Sequence, residues 1–272
     1  MEIRLPLLDL EKIALSGQCF RWERLGRDHF RIPHAGECLE ISMTEAERFS
    51  LSCGEEQFET LWRDYFDLDT DYAEIIARID PRADPFLYAA ALDQRGVRIL
   101  RQDGWEMLVT SVITQNRNIP AIQKSVAALC RLAGQRKTDG AGREFYTFPA
   151  PEEILAMDDK SFSLCRLGYR DRYVKAAAEA VRSGAPDPDR LRTADDAECR
   201  EALLRLTGVG EKVAACVMLF GLHRLNAFPR DVWMNRMLEE YYPGGFPFER
   251  FAPWNGVYQQ YLFAYYRKLH GA

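Results

Sequence analysis

The sequence lacks an uncharged apolar run long enough to cross a bilayer, which needs about 20 such residues in a helix. Its opening stretch, MEIRLPLLDLEKIALSGQCF, carries charges throughout its apolar part, so a signal peptide is not expected. Internal repeats and low-complexity tracts are also missing. With 272 residues, of which 47% are hydrophobic and 12% aromatic, the chain can form one large or two modest domains. We expect a folded, cytoplasmic protein.

Paired cysteines are missing as well. The seven cysteines are odd in number, widely scattered and never spaced as C-x-x-C. This pattern fits reduced thiols better than a disulfide framework or a zinc site. The residues are Cys19, Cys38, Cys53, Cys130, Cys165, Cys199 and Cys216.

The chain also lacks the basic balance that usually marks a nucleic-acid-binding protein, since its formal net charge is −5. The charges are unevenly distributed, however. Residues 37–94 contain four Lys or Arg against fifteen Asp or Glu, whereas residues 95–137 contain eight against two. This asymmetry is consistent with one solvent face and one face for a polyanion, or with ordinary solvated faces.

The pattern of apolar residues changes along the chain. Short runs separated by glycines, such as HFRIP and CLEISM, predict small antiparallel strands near the N-terminus, without obvious helices. From Phe58 onward, apolar residues recur every three or four positions, which predicts helices almost to the end. We therefore predict an α+β fold, with a small antiparallel β domain over residues 1–65 and a mostly α-helical domain over residues 66–272. The polar stretch from Gly134 to Gly142 is predicted to be a loop.

The stretch 206–231, LTGVGEKVAACVMLFGLHRLNAFPRD, combines several chemical signals. Gly208 and Gly210 allow a tight turn with positive φ, so that amides at the start of the next helix can face a phosphate. Lys212 follows at the start of an apolar helix, where partial shielding from water would make its amine available as a nucleophile. Asp231 would orient that amine or stabilise nearby positive charge. Equally, Lys212 is compatible with a solvated lysine and Asp231 with a helix N-cap.

Three further segments place polar and aromatic side chains together. WEMLVTSVITQNRNI ends an apolar helix in a polar cluster around Asn116, which can bind base edges or phosphates or form an ordinary turn. LGYRDRYV puts Tyr169 and Arg170 ahead of an alanine-rich helix, and such a group can enter a disturbed duplex or bind phosphates. QQYLF places Gln259 and Phe263 on one helical face, where they can contact a base or simply pack a C-terminal helix.

Together these segments resemble the helix-hairpin-helix (HhH-GPD) DNA glycosylases, and among them the 8-oxoguanine DNA glycosylase/AP lyase branch. The segment LTGVGEKVAAC is similar to the hairpin motif of the superfamily, and the helix-hairpin-helix would cover about residues 199–220. The aspartate of AFPRD follows this motif. Similarity to the branch itself lies in SGQCFRW, YFDLD, GVRILRQD, LGYRDRYV and QQYLF. These motifs cover nearly the full chain.

The resemblance implies a bifunctional enzyme that excises 8-oxoguanine from duplex DNA in base excision repair. Lys212 would attack the anomeric carbon of the sugar and form a Schiff base, with Asp231 orienting and electrostatically assisting the attack. Loss of the base would be followed by β-elimination at the 3′ side. A monomer that works in the cytoplasm, at the nucleoid in a bacterium, is expected.

The resemblance also implies how the base is recognised. The Gly17 carbonyl would accept the hydrogen that N7 carries only in the oxidised base, which distinguishes the lesion from guanine. Gln259 would bind the Watson–Crick edge, and Phe263 with Cys216 would sandwich the ring.

The family further implies a distorted duplex. Asn116 would fill the space left by the extruded base, while Tyr169 and Arg170 would act on the opposite base. The resemblance implies that no cofactor is required. It allows a structural cation bound at the hairpin. The DNA backbone would be held by main-chain amides of Gly208, Val209 and Gly210.

Two positions depart from well-known eukaryotic members. Ala121 stands where those members have a second arginine that reads the opposite cytosine, so we expect a relaxed preference for the opposite base. Trp233 stands in place of a histidine, which alters one phosphate contact.

Other functions remain as alternatives. Endonuclease III-like glycosylases for oxidised pyrimidines and adenine-mismatch enzymes usually carry a four-cysteine iron–sulfur site after the aspartate, whereas no cysteine follows Cys216 here. We therefore expect no iron–sulfur cluster. Glycosylases for alkylated purines typically lack the lysine, and a non-catalytic DNA-binding hairpin protein would not need the lysine–aspartate pair.

Overall fold

The N-terminal part of the chain folds into five strands, β1 (Glu2–Arg4), β2 (Glu23–Gly26), β3 (His29–His34), β4 (Glu37–Glu45) and β5 (Arg48–Leu51). The fold is that of a computed structural model, which describes residues 1–271 apart from the side chains of residues 188 and 189. The strands form one antiparallel sheet in the order β1-β5-β4-β3-β2. Alternate side chains of β3 and β4 point into a core, because strand residues alternate between faces.

Helices make up most of the remaining chain. Two π-helical turns, Phe58–Trp62 and Val217–Gly221, directly follow α-helices. A 3₁₀ turn, Gly168–Arg170, directly precedes an α-helix. The helices are α1 (Leu10–Leu15), α2 (Glu55–Gln57), α3 (Arg63–Tyr65), α4 (Tyr72–Ala77), α5 (Pro85–Asp93), α6 (Gly104–Ile113), α7 (Ile119–Ala133), α8 (Pro151–Leu155), α9 (Asp159–Leu164), α10 (Asp171–Arg182), α11 (Pro188–Thr193), α12 (Asp196–Leu204), α13 (Glu211–Cys216), α14 (Val232–Tyr241), α15 (Phe248–Phe251) and α16 (Asn255–Leu269).

The predicted α+β fold is confirmed, and HFRIP and CLEISM lie in β3 and β4. The domain boundary near residue 65 stays a prediction; the last strand of the five-stranded sheet ends at Leu51, and the next helix begins at Glu55. No helix within residues 1–271 has the length and apolar character needed to cross a bilayer.

Two short elements differ from the sequence prediction. Helix α1 lies in the part where no helix was expected; Asp9 caps it by accepting the N–H of Lys12 at 2.9 Å. At six residues it is too short to show a helical period. The predicted loop from Gly134 to Gly142 contains one strand of a small hairpin, β6 (Arg136–Thr138) paired with β7 (Glu144–Tyr146). All three β6 side chains are exposed, so the strand shows no apolar alternation.

The helical part has two hydrophobic cores that meet at α13 and its π-helical turn. Val213 and Ala214 belong to the core formed with α6, α7 and α10. Cys216 and Leu219 belong to the second core, in which α16 packs against α5. The helix that carries Lys212 is therefore fixed from both sides by apolar packing.

Residues 97–102 form a mostly buried segment without regular secondary structure, which is hydrogen-bonded to the N-terminal part of the chain. Arg98 donates to the carbonyls of Leu7 at 2.9 Å and Asp67 at 2.8 Å. Gln18, fully buried, donates to the carbonyl of Arg98 at 2.9 Å and accepts the N–H of Leu100 at 2.8 Å. Buried polar groups are stable only when paired in this way, so the segment fixes the turn at Gln18 against the helices.

Asp67 is the acidic centre of a second buried network. Its carboxylate accepts the Tyr72 hydroxyl at 2.9 Å and Arg101 Nε at 3.0 Å, and His223 Nε2 lies 3.2 Å away. Burial alone would raise the pKa of Asp67, but the contacts with His223, Tyr72 and Arg101 outweigh it and hold the pKa below its ordinary value. The folded state therefore favours the ionised carboxylate.

Asp67→Asn is expected to lower the free energy of unfolding near neutral pH by about 1.5–3 kcal/mol, as hydrogen bonds to a charged group are lost. A lowered aspartate pKa stabilises the fold above the unfolded-state value of about 3.9, and this contribution disappears as pH falls through the folded-state pKa. The variant should thus lose stability less steeply than wild type in that acidic range. Denaturant unfolding at several pH values measures both effects. The matched control is Asp69→Asn, whose carboxylate is 73% exposed; an equal loss in both variants would contradict the prediction.

Candidate active site

One open cleft of about 1650 Å³ brings together residues from the whole length of the chain. It lies between the N-terminal sheet, the loop after α6, the start of α13, the start of α14 and α16. Most of the predicted site residues line it: Gly17, Asn116, Gly210, Lys212, Cys216, Asp231, Gln259 and Phe263. The predicted residues that do not line it are Tyr169, Arg170, Gly208 and Val209.

Lys212 lies in the first turn of α13 and is half-buried. Its Nζ donates to the hydroxyl oxygen of Thr114 at 3.1 Å. That hydroxyl donates in turn to the carbonyl of Ser111 at 2.7 Å, which leaves its oxygen free to accept the amine. The amine is therefore held inside the cleft rather than extended into solvent. Thr114 was missed in the sequence, where nothing distinguishes it from other helix-end threonines.

Asp231 is the N-cap of α14, and its Oδ1 accepts the N–H of Met234 at 2.9 Å. The helix-cap interpretation is confirmed, and Asp231 also lines the cleft that Lys212 lines. An N-cap aspartate has a fixed side-chain orientation because one oxygen is bonded to the helix. Capping thus holds the carboxylate in place for a second function.

Residues from near the two ends of the chain meet in the cleft. Gly17 has φ +80°, and a Cβ on it would stand 3.9 Å from Cε1 of Phe263. Gln259 is 3% exposed, and its Nε2 donates to the carbonyl of Pro229 at 3.1 Å. A main-chain turn, an aromatic ring and a buried amide therefore face one space, which is the arrangement needed to bind a planar polar ring.

Cys216 lies one turn after Lys212 on the same side of α13. Burial raises the pKa of the Cys216 thiol, and the neighbouring Lys212 offsets only part of that effect. The thiol is therefore neutral near physiological pH. A neutral thiol provides a small apolar contact and is a poor nucleophile.

The loop Gln115–Asn118 follows α6 and is called the Asn116 loop. Asn116 is exposed with φ +50°, a left-handed conformation that asparagine tolerates better than most residues. Its Nδ2 lies 3.4 Å from the hydroxyl of Tyr169. Gln115 donates from Nε2 to the carbonyl of Gly208 at 3.0 Å, so the Asn116 loop is bonded to the glycine turn before α13.

Tyr169 and Arg170 adjoin the Asn116 loop but differ in exposure. Tyr169 is 45% exposed, whereas Arg170 is 6% exposed. The Arg170 guanidinium donates to the carbonyl of Gln115 at 2.8 Å and to that of Leu167 at 3.1 Å. Its contact with an opposite base stays a prediction; in this structure the side chain supports the Asn116 loop.

The turn Leu206–Gly210 joins α12 to α13 and is called the hairpin turn. Gly208 has φ +84°, and a Cβ there would stand 2.3 Å from the ring of Tyr173. Val209 is buried, and its N–H donates to the carbonyl of Leu206 at 3.1 Å. The turn is therefore shaped by close packing on Tyr173 as well as by backbone conformation.

A helix-hairpin-helix beside a cleft that holds a lysine and a capping aspartate is the arrangement of the helix-hairpin-helix DNA glycosylases. Residues 2–108 match the N-terminal domain of 8-oxoguanine DNA glycosylase. The solved structure of MBOgg1 in complex with a low-affinity DNA ligand is 34% identical, with a TM-score of 0.92 over 99% of this chain and 96% of that one. The chain therefore belongs to the 8-oxoguanine DNA glycosylase family.

Other relatives agree with this assignment. The Clostridium acetobutylicum 8-oxoguanine glycosylase/lyase, solved with double-stranded DNA containing cytosine opposite 8-oxoguanine, is 31% identical, with a TM-score of 0.89 over 97% of this chain and 93% of that one. The N-glycosylase/DNA lyase OGG1 of Arabidopsis thaliana is 30% identical over 229 residues, or 80% of this chain. The chain spans 62% of the length of that plant relative.

Gly208→Ala is expected to lower the free energy of unfolding by at least about 2 kcal/mol, because the new Cβ would be strained at positive φ and would overlap the Tyr173 ring. Gly210→Ala is the matched control. A Cβ there meets no heavy atom within 4 Å, and its φ of −103° suits alanine. Chemical denaturation of both variants measures the difference. Similar stabilities would show that Tyr173 and positive φ do not define the hairpin turn.

Proposed function

We propose that the protein is a bifunctional DNA glycosylase/AP lyase that excises 8-oxoguanine from duplex DNA in base excision repair. The observation that carries this proposal is that Lys212, Asp231, Gly17 and Phe263 all line one cleft. A nucleophile and a binding space for a planar base are thus combined. The family assignment favours this substrate over alkylated purines and oxidised pyrimidines.

We infer how the base is recognised from the chemistry of residues that line the cleft. The Gly17 carbonyl would accept the N7 hydrogen of 8-oxoguanine, which ordinary guanine lacks, while Gln259 binds the Watson–Crick edge. The Phe263 ring and the neutral Cys216 thiol would enclose the base from its two faces. A site built on a hydrogen bond rejects the analogue that lacks it, because its own polar group is then left unpaired.

The reaction uses Lys212 as nucleophile. Its amine would attack the anomeric carbon while the glycosidic bond breaks, and the base leaves with the bonding electron pair. The nitrogen then loses a proton and the C1′–O4′ bond of the sugar breaks, with the ring oxygen taking up a proton, which gives a Schiff base between Lys212 and the opened sugar. Loss of a C2′ proton from this imine expels the 3′ phosphate, and this β-elimination breaks the strand at the 3′ side. The Asp231 carboxylate would stabilise positive charge that develops on the sugar and the amine. Thr114 would hold the amine in the cleft until the sugar arrives.

Extruding the base costs a few kcal/mol of stacking and pairing, which protein contacts have to offset. Asn116, exposed on its loop, would fill the vacated space, with Tyr169 and Arg170 beside the opposite base. The hairpin turn would bind the DNA backbone through its main-chain amides. Since the Val209 N–H is already bonded to Leu206, the amides of Gly208 and Gly210 are the better candidates for that contact.

The proposed chemistry requires no cofactor. A structural cation at the hairpin turn remains a proposal, and no step depends on it. Among the described residues there is no cluster of His, Cys, Asp or Glu suited to a metal, so main-chain carbonyls would have to hold such a cation. The Gly208 carbonyl already accepts a hydrogen bond from Gln115. We also propose that the protein acts as a monomer on duplex DNA in the cytoplasm, at the nucleoid in a bacterium.

Lys212→Gln is expected to abolish the covalent adduct that borohydride traps on a duplex containing 8-oxoguanine, because an amide cannot form an imine. Strand cleavage should be lost with it. Denaturing gel electrophoresis measures both products. Lys160→Gln, at an exposed position in α9, is the matched control and should give the wild-type adduct. Absence of an adduct with wild type, or an undiminished one with Lys212→Gln, would refute the proposal.

Ala121 predicts a relaxed preference for the opposite base. It lies in the first turn of α7, where its N–H is bonded to the capping side chain of Asn118 at 3.0 Å. Excision opposite adenine, guanine or thymine should be within about tenfold of that opposite cytosine, equivalent to about 1.4 kcal/mol. Ala121→Arg should increase the preference for cytosine. Single-turnover excision from four duplexes tests this, and a much stronger cytosine preference in wild type would overturn it.

A further inference from the structure

Two consecutive glutamines of α16 are buried at the cleft. Gln259 is 3% exposed and Gln260 is 4% exposed, and both line the cleft. The proposed function assigns a role only to Gln259. The contacts of Gln260 point to a role that acts through its neighbour.

The two amides form a directed chain of hydrogen bonds. Gln259 Nε2 donates to the carbonyl of Pro229 at 3.1 Å, and Gln260 Nε2 donates to Gln259 Oε1 at 3.0 Å. The Pro229 carbonyl can only accept, so Gln259 must present its NH₂ group to it. Gln259 Oε1 is then directed at Gln260, which must present its own NH₂ group. The Gln259 amide is therefore held in one orientation by a bond at each end, from its NH₂ group to Pro229 and from Gln260 to its Oε1.

Gln260 makes this contact at a cost. Its Oε1 is buried and has no hydrogen-bond partner among the described residues. Unpaired buried polar atoms are uncommon in folded proteins and call for an explanation. If Gln260 only filled space, an apolar side chain of similar size would fill it without an unpaired oxygen. The hydrogen bond to Gln259 provides the missing reason for an amide at this position.

The orientation of the Gln259 amide decides which base edge it can bind. The NH₂ group of Gln259 keeps a second N–H, and its Oε1 keeps a second lone pair. Both remain free to bind a base. Guanine-type bases present an acceptor at O6 beside a donor at N1, whereas adenine-type bases present a donor at N6 beside an acceptor at N1. An amide held in one orientation matches one of these orders, while an amide free to rotate by 180° can match either.

We propose that Gln260 is a positioning residue that locks the Gln259 amide, so that the cleft accepts a guanine-type edge and rejects an adenine-type edge. This inference rests on the proposed function, in which Gln259 reads the Watson–Crick edge of the extruded base. Gln260 acts through Gln259 and needs no contact with the base.

The test compares kcat/KM for 8-oxoguanine and for 8-oxoadenine in the same duplex context. In Gln260→Leu the ratio of the two values is expected to fall about tenfold, because the Pro229 carbonyl alone then holds the Gln259 amide and the orientation rotated by 180° becomes less unfavourable. The thermal midpoint should stay equal to wild type or rise, because the unpaired Oε1 is gone. Gln260→Met provides a second, unbranched variant with the same expectation, should leucine not fit the space beside Gln259.

Gln94→Leu is the matched control, since Gln94 is also a buried glutamine but caps the end of α5 away from the cleft. Its ratio should equal that of wild type whatever its stability. An unchanged ratio in folded Gln260→Leu and Gln260→Met would overturn the proposal. Failure of the proposed function is a separate result, because wild type would then give no borohydride-trapped adduct with 8-oxoguanine.

Discussion

The site depends on the hydrogen bonds between Gln18 and the segment of residues 97–102. The Gln18 side chain bonds to the carbonyl of Arg98 and the N–H of Leu100, while Gln102 donates to the Gln18 carbonyl at 2.8 Å. These bonds fix the turn that contains Gly17. Because that turn has no regular secondary structure of its own, its position against Phe263 follows from the Gln18 contacts. A turn that moved by an ångström would no longer offer its carbonyl at a fixed place.

A second set of contacts connects the hairpin turn to the Asn116 loop. Gln115 bonds to the Gly208 carbonyl, Arg170 bonds to the Gln115 carbonyl, and Tyr173 packs on Gly208. The element proposed to hold the DNA backbone and the element proposed to fill the duplex are therefore one connected unit. Their spacing is set inside the protein before DNA binds, which reduces the ordering that binding has to supply.

The parts of the site that the sequence predicts are those whose chemistry is local. The turn around Gly208, the lysine that follows it and the capping Asp231 can be recognised because glycine, lysine and aspartate have distinct local roles. The meeting of Gly17 with Phe263 came from the family resemblance, since no local rule relates residues at opposite ends of a chain. Thr114 and Gln260 could not be predicted, because their roles consist of contacts with residues distant in sequence or of the direction of one amide.

The distribution of charged residues along the sequence is also an incomplete guide to the site. The basic excess of residues 95–137 was one indication of a surface for a polyanion, but part of it is used inside the fold. Arg98 is buried on main-chain carbonyls, and Arg101 is paired with Asp67. Arg117 donates to Ser125 at 2.6 Å and to the carbonyl of Arg166. A count of charges along a sequence does not separate cations that meet DNA from cations that satisfy buried acceptors.

The two sides of the cleft differ in a way that suits base extrusion. On the base side, Gln259 and Cys216 are buried and Gly17 is fixed by the Gln18 contacts, so the binding surface exists before the base arrives. On the duplex side, Asn116 lines the cleft and Tyr169 lies outside it next to the Asn116 loop; both are exposed, and a 3.4 Å contact joins their side chains. Selectivity requires a rigid surface, because an amide or carbonyl that can reorient accepts several bases. Entry into a duplex requires side chains that can leave their present contacts at little cost. The proposed reaction therefore accounts for a rigid base side, which selects the base, and an exposed duplex side, which enters the DNA.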